Sequence, residues 1–191
     1  MEDTKIRATI EASIATKQRF LDQCTPSLRQ LCEAAVESLR AGGKLMFCGN
    51  GGSSCDAAHA AGELVGWFEH KERKGYAAVA LGHQVPTVTA VANDAGYVHV
   101  FEREVEAIGR PEDLLIGITT SGGSKNVVAA MEKARAMGMK TAVLCGEARG
   151  ATAALADFAV HVPSTDTARI QESHLVCVHV LCAAVEDAFR G

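Results

Sequence analysis

The sequence predicts an α/β fold in which a parallel sheet is covered by helices on both faces. Five short apolar runs, each about as long as a strand, follow one another along the chain. Stretches with helical patterning separate them, and continuous apolar strands that alternate with helices are typical of a parallel sheet. The chain has 191 residues, 48% of them apolar, so we expect a single domain, residues 1–191, with a sizeable core.

The chain begins with two amphipathic patterns. Ile6, Ile10 and Ile14 lie at helical spacing up to a break at Thr25-Pro26, and a second such run ends at Gly42-Gly43. We therefore expect two leading helices, which form an extension of about residues 1–42. Strands are expected at 44–48, 76–81, 113–118, 140–145 and 157–162, with helices at 54–66, 86–106, 124–137, 150–156 and 167–190.

Composition and charge exclude some classes of partner. A net charge of −4 argues against a nucleic-acid partner, and no run reaches the ~20 apolar residues that span a bilayer. The seven cysteines form no CxxC pair, which favours free thiols in a reducing, cytoplasmic environment. Cys48 and Cys55 offer metal ligands in principle, but small core residues beside a glycine-rich loop are the favoured interpretation.

A glycine-rich loop, GNGGSS at 49–54, follows the first strand. Glycine allows the backbone to turn tightly and to approach a ligand. The dinucleotide fingerprint requires a third glycine where Ser54 stands, so a nicotinamide cofactor is disfavoured. In parallel sheets ligands bind outside the carboxyl ends of the strands, which draws attention to this loop and to the one after the third strand.

The loop after the third strand, ITTSGGSKN at 118–126, is rich in hydroxyl groups. Uncovered glycine amides and the start of a helix accompany these hydroxyls, and together they suit a phosphate monoester. The P-loop ending GK[ST] is missing, so nucleotide hydrolysis is disfavoured. The alternative is an ordinary strand-to-helix turn in which Ser124 is the N-cap.

Two side chains with chemical potential follow the first loop. His59 and Glu63 are four residues apart in a predicted helix, so they share one face. They are suited to proton transfer or to metal binding, but a solvated helix carboxylate remains an equal alternative for Glu63 on this evidence alone.

Five segments together resemble the sugar isomerase (SIS) domain family: CGNGGSSCDAAH, ANDAGY (92–97), GITTSGGSKNV (117–127), AMGMKTAVL (136–144) and RIQESHLVCVHVL (169–181). The resemblance implies a flavodoxin-like, doubly wound, five-stranded parallel sheet and a homotetramer with active sites between subunits. It also implies an intramolecular oxidoreductase that converts sedoheptulose 7-phosphate to D-glycero-D-manno-heptose 7-phosphate. That reaction is the first step towards the heptose of lipopolysaccharide or surface glycans.

The resemblance also assigns site residues. Glu63 is expected to be the base and His179 the acid–base group at the sugar oxygens. Zinc ligands fall on His59, Glu63, Gln171 and His179, and because an amide is a poor zinc ligand we expect the ion to be exchangeable. Substrate contacts fall on Asn50, Gly51, Gly52, Ser53, Glu63, Asn93, Asp94, Thr119, Thr120, Ser121, Ser124 and Gln171.

Two other functions remain open. One is a non-catalytic SIS protein that binds a sugar phosphate or the replication initiator, and the other is an isomerase for a different sugar phosphate. Glu63 and His179 together favour an enzyme. Arg169 is expected either to hold substrate charge or to pair with a nearby carboxylate, His174 to be a hydrogen-bonded core histidine, and Trp67 to pack.

Overall fold

A computed structural model describes residues 2–190; residues 1 and 191, which the predicted domain and helical extension include, lie outside the described part. The strands are β1 (Leu45–Gly49), β2 (Ala78–Ala80), β3 (Leu114–Thr119), β4 (Lys140–Cys145) and β5 (Phe158–His161). The helices are α1 (Asp3–Arg40), α2 (Gly52–Val65), α3 (Val85–Asp94), α4 (Val100–Ile108), α5 (Lys125–Ala136), α6 (Thr152–Leu155) and α7 (Thr167–Ala188).

All five strands are parallel and lie in the order β2-β1-β3-β4-β5. This order confirms the predicted doubly wound sheet. The chain continues from β1 to β2 on one side of the sheet and from the adjacent β3 to β4 on the other, so the loops after β1 and β3 run in opposite directions. Such a switch point opens a crevice at the carboxyl ends of the strands.

Each face of the sheet carries its own apolar core. Although β1 and β3 are buried along their whole length, their side chains alternate between the faces. Phe47 and Ile116 pack with α1, α2 and α7, whereas Met46 and Leu115 pack with α4 and α5. The helices that bear the predicted catalytic residues, α2 and α7, therefore share one face.

The prediction of two leading helices is wrong: α1 is one helix of 38 residues with Pro26 inside it. Proline removes one helical hydrogen bond and normally kinks or ends a helix. Here the hydroxyls of Thr25 and Ser27 donate to carbonyls of the preceding turn, those of Leu21 and Cys24. The segment is also buried against α7 and β5, and this packing outweighs the local preference to break.

Two smaller predictions are also wrong. The helix expected at 86–106 is divided into α3, a 3-10 turn at Tyr97–His99 and α4, because Gly96 adopts a φ of 99° that a helix does not allow. Cys55 was expected in the core but is exposed. The other six thiols are free and buried as predicted, and burial raises the pKa of each of them.

Candidate active site

The loop after β1 is joined directly to the loop after β3. Asn50 Nδ2 donates to Asn126 Oδ1, and Asn126 Nδ2 donates back to Asn50 Oδ1, both at 2.8 Å. The Tyr97 hydroxyl donates to the same Asn50 oxygen at 3.0 Å. This arrangement fixes Asn50 and leaves one amide hydrogen for a ligand. Sequence reasoning assigned no role to Asn126 and Tyr97, although they are the last residues of the quoted segments ITTSGGSKN (118–126) and ANDAGY (92–97).

The loop after β3 gathers the predicted hydroxyls. Thr119 Oγ1 lies 2.9 Å from Ser124 Oγ and 3.5 Å from Ser121 Oγ. Ser121 Oγ accepts from the amide of Gly123 at 3.2 Å. Ser124 stands at the N-cap position of α5, but its side chain makes no capping hydrogen bond. In the first turn of α5 the amide of Val127 donates to Asn126 Oδ1, and the two preceding amides face the start of the helix without a side-chain cap, which fits an anion site better than the alternative of a turn capped by Ser124.

Neighbouring segments hold this hydroxyl loop by its carbonyls. The Thr120 carbonyl accepts from Gly146 N, and the Gly122 carbonyl accepts from both the amide and the hydroxyl of Thr152. Gly122 has a φ of 67° and lies against the backbone of residues 149–150, where a side chain would clash. Since the carbonyls are turned away and bonded, donors rather than acceptors face the crevice.

The predicted catalytic side chains meet between α2 and α7. Nε2 of His59 lies 3.0 Å from Nε2 of His179 and 3.7 Å from Oε1 of Glu63. The two imidazole rings meet edge to face, with centroids 5.2 Å apart. His59 and Glu63 are half-buried, with 39% and 25% of their side chains exposed. Glu63 is therefore not a freely solvated helix carboxylate but belongs to a cluster with both histidines.

An aromatic ring from the loop after α2 completes this cluster. Phe68 stacks on His179 with centroids 5.6 Å apart and an interplanar angle of 29°. The neighbouring Trp67, predicted to pack, is instead 60% exposed, and its indole N–H donates to the carbonyl of Arg73 at 3.3 Å. The apolar run ends in a loop that turns one ring inward and the other outward.

Gln171 reaches the start of α2. A Cβ on Gly52 would lie 2.6 Å from Gln171 Nε2, so the absence of a side chain there gives the amide its place. Ser53 is buried in the first turn of α2, and Gly51 adopts a φ of 57°. These positions bring Gln171 to the same crevice as the loop after β1.

Asn93 and Asp94 lie at the exposed end of α3, apart from the imidazole cluster. Asn93 Nδ2 donates to Asp94 Oδ1 at 2.8 Å. Among residues 2–190, no hydrogen bond joins this pair to Glu63 or His179. Their connection with the site is through the short turn to Tyr97, which contacts Asn50.

The imidazole cluster offers the kinds of ligand atom that zinc prefers. Zinc bonds imidazole nitrogen and carboxylate oxygen at ~2.0–2.1 Å in a tetrahedron, which places two ligand atoms ~3.3 Å apart. The observed 3.0 Å between the histidine nitrogens and 3.7 Å to Glu63 lie on either side of this spacing. Two nitrogens that face each other need either a shared proton or a cation between them. His59 is therefore near zinc-ligand spacing to both His179 and Glu63, although the donor atoms of the three residues do not all lie within 4.8 Å of one another.

The surroundings of three further polar residues indicate their roles. Arg169 pairs with Glu172 at 2.5 Å and donates to the carbonyl of Thr9, which supports the pairing alternative over substrate binding. His174 is fully buried, as expected, but neither ring nitrogen has a hydrogen-bond partner among the described residues, and burial lowers its pKa to about 4. Burial also raises the pKa of Asp56, against the opposing influence of His59.

Comparisons with known proteins identify the family and the fold. The family model described as SIS domain matches residues 10–146. A phosphoheptose isomerase of Helicobacter pylori (strain P12) is 46% identical over 189 residues, which cover 99% of this chain and 98% of the relative. One from Leptospira biflexa is 44% identical over 190 residues, with 99% and 97% covered. The solved structure of a phosphoheptose isomerase from Francisella tularensis is 37% identical, with a TM-score of 0.94 over 98% of this chain and all of that one.

Proposed function

Because the chain belongs to the SIS domain family, we infer that it is a phosphoheptose isomerase, which interconverts sedoheptulose 7-phosphate and D-glycero-D-manno-heptose 7-phosphate. Full-length relatives at 44–46% identity carry that name. The observation in the structure that supports the reaction most directly is the contact of His59 with both Glu63 and His179. A protein that only bound the sugar phosphate would not need this cluster.

The hydroxyl loop after β3 is the proposed anchor for the phosphate. Ser121 is exposed, while Thr119 is buried and bonded to Ser124, so the loop is ordered before a ligand arrives. Hydroxyls, amides and the positive end of α5 stabilise the dianion without a buried lysine or arginine. Asn50, fixed by Asn126, offers its remaining N–H at the neighbouring strand end.

The imidazole cluster is the proposed centre of proton transfer. Glu63 removes a proton from C1 of the ketose, and its carboxyl group, after exchange with solvent, delivers a proton to C2 of the resulting enediol. His179 gives a proton to the carbonyl oxygen at C2 and takes one from the hydroxyl at C1, so protons balance across the reaction. When bound, zinc would supply an electrophile that polarises these oxygens. His59, Glu63 and His179 would hold the ion, with Gln171 as the proposed fourth ligand.

One experiment tests the reaction and the site together. Sedoheptulose 7-phosphate is incubated with the protein in D₂O, and the products are followed by NMR. We expect an aldose 7-phosphate that carries one solvent deuterium at C2, because the enediol is protonated there from an exchangeable carboxyl group. Recovery of unchanged ketose at high enzyme concentration would refute the proposed function.

We further propose that the chain assembles as a homotetramer through α1 and α7. Ile6, Ile10 and Ile14 form a stripe on α1 that is 44–62% exposed. The first turns of α1 extend beyond the core and are exposed, so this apolar stripe stays in water unless a partner covers it. A groove between α1 and α7, lined by Leu21 and Val180 among others, continues this apolar surface.

A second copy of the chain is the proposed occupant, since the apolar stripe of α1 and the groove between α1 and α7 form one continuous surface that the same surface of another copy would cover. Light scattering after size exclusion should give four times the mass of the chain. Glu in place of both Ile10 and Ile14 should give a smaller particle.

We place the enzyme in the cytoplasm, where a reducing environment keeps six buried thiols free. Among residues 2–190, no helix has the length and apolar character needed to cross a bilayer. The product would serve as precursor of the heptose in lipopolysaccharide or surface glycans.

A further inference from the structure

The loop between α2 and β2 is held by one buried carboxylate. Glu186 of α7 is 2% exposed and accepts the backbone amides of Phe68, Glu69 and His70 at 2.9–3.1 Å. It also accepts from Nε of Arg73 at 2.5 Å. Four donors on one carboxylate fix the course of residues 66–75, which we call the clamp loop.

Arg73, which bonds Glu186 of α7, also bonds the end of α2. Its two terminal nitrogens donate to the carbonyls of Glu63 and Leu64, at 2.7 and 2.9 Å. These are carbonyls of the last turn of α2, which have no partner within the helix. Its guanidinium also lies over the ring of Tyr76, 4.4 Å from the centroid. One side chain thus ends α2 and bonds to α7.

The pair lies next to the residues that would react. Glu186 is seven residues after His179, so both are on one face of α7, two turns or about 10 Å apart. Arg73 bonds the backbone of Glu63 itself. The clamp loop returns to the site through Phe68, whose ring stacks on His179.

We propose that the Arg73–Glu186 pair positions Glu63 and His179 for proton transfer by fixing α2, α7 and the clamp loop to one another. This inference rests on the proposed isomerase function. Both are positioning residues, since neither side chain reaches the crevice. A buried ion pair is weak evidence for stability alone, because apolar residues often replace one without loss. Apolar residues would not form the hydrogen bond from Arg73 to the Glu63 carbonyl. They would also not accept the amide of Phe68, whose ring contacts His179.

Glu186 is also close to Glu69 and His70, and the three could form a metal site. However, Glu186 already accepts four hydrogen bonds, three from amides that cannot give up their partner without exposing buried donors. The geometry favours a clamp over a cation site.

The test uses Glu186→Gln and Arg73→Lys in the full-length protein. Both keep a polar side chain of similar size, but Gln loses the charge, and Lys loses the fork that bonds Glu63 and Leu64. Because the hydroxyl loop is untouched, we expect kcat to fall at least 10-fold with KM within about twofold of the parent. A displacement of 1 Å at reacting groups costs up to ~100-fold.

Trp67, the single tryptophan, reports the clamp loop independently of activity. Its quenching by acrylamide should become faster in both variants. Glu72→Gln removes a charge from the same loop, at an exposed side chain that forms no hydrogen bond or ion pair within residues 2–190, and should change neither quantity. If Glu186→Gln does not fold, Arg73→Lys carries the test.

A folded variant with parental kcat would overturn the proposal. So would a fall in kcat that disappears when the rate is expressed per folded enzyme, because loss of folded protein lowers the apparent kcat and leaves KM unchanged. An inactive parent would refute the isomerase function instead, and the quenching would still report whether the pair holds the loop.

Discussion

Replacing Gly52 with alanine isolates the contribution of Gln171. The new Cβ would lie 2.6 Å from Nε2 and 3.1 Å from Cδ of that side chain. The contact is with the far end of a flexible side chain, so Gln171 can rotate away without movement of the backbone. Gly52 is also the first residue of α2, where alanine restricts the unfolded chain and stabilises by about 0.4–1 kcal/mol. The melting temperature should therefore rise by roughly 1–4 °C.

Activity should change in the opposite direction. A hydrogen bond or ligand contact to a charged group contributes about 1.5–3 kcal/mol, so its loss should lower kcat/KM by about 10- to 100-fold. Gly62→Ala is the matched control, because Gly62 is in the same helix and a Cβ there meets nothing within 4 Å. We expect similar stabilisation with parental activity. Thermal denaturation and NMR progress curves measure both quantities.

Two outcomes would refute this reasoning. If Gly52→Ala were as active as Gly62→Ala, Gln171 would have no role at the position that the structure gives it. If Gly52→Ala melted lower than the parent, the clash would be borne by the backbone and not relieved by rotation of one side chain.

Four further predictions address the cluster, the loop and the clamp. Glu63→Gln should abolish turnover while calorimetry shows retained substrate binding, and full activity would eliminate Glu63 as the base. His179→Ala should lose both turnover and zinc measured by elemental analysis, whereas retained zinc would remove it from the ligand set. Ser121→Ala should raise KM more than it lowers kcat; an unchanged KM would count against the phosphate site. Four hydrogen bonds hold the pKa of Glu186 at about 2 against a usual 4.5, so its contribution of about 3 kcal/mol is complete above pH 4.5 and is lost as pH falls towards 2. Urea unfolding should show the difference between parent and Glu186→Gln shrinking by about half between pH 7 and pH 3, and a constant difference would contradict the assignment.

The sheet was predictable because its strands are buried on both faces. Continuous apolar runs such as 114–118 have no polar alternation and can only be interior strands, and the structure places all five runs in one sheet. What local rules did not predict is where tertiary packing overrides them. Pro26 predicted a helix break, yet the buried contacts of α1 with α7 keep the helix continuous. Conversely, the apolar pattern at 86–106 concealed a break at Gly96, whose positive φ no periodicity reveals.

Part of the candidate site was also predictable from local spacing, and part depends on tertiary packing. The spacing of His59 and Glu63 predicts a shared helix face from the residues alone. The meeting of His59 with His179, 120 residues later, depends on how α2 packs on α7, and only the family resemblance indicated it. Asn126 and Arg73 were missed because their roles are contacts with distant backbone and side chains, which leave no spacing signal in one sequence.

The proposed phosphate anchor and the proposed catalytic cluster are held by different parts of the fold. Their separation bears on the length of sugar that can react. The hydroxyl loop is held by the segments after β4, through Gly146 and Thr152, whereas the cluster around His179 is held by α2, α7 and the clamp loop. Since the phosphate is at one end of the sugar and the reacting carbons C1 and C2 are at the other, the distance between these two rigid parts selects the chain that spans it. A shorter sugar phosphate would satisfy the same hydroxyls and amides without bringing C1 to Glu63. Discrimination among sugar phosphates would then arise in kcat, through placement of the reacting carbons, and not in the strength of the phosphate contacts that all of them share.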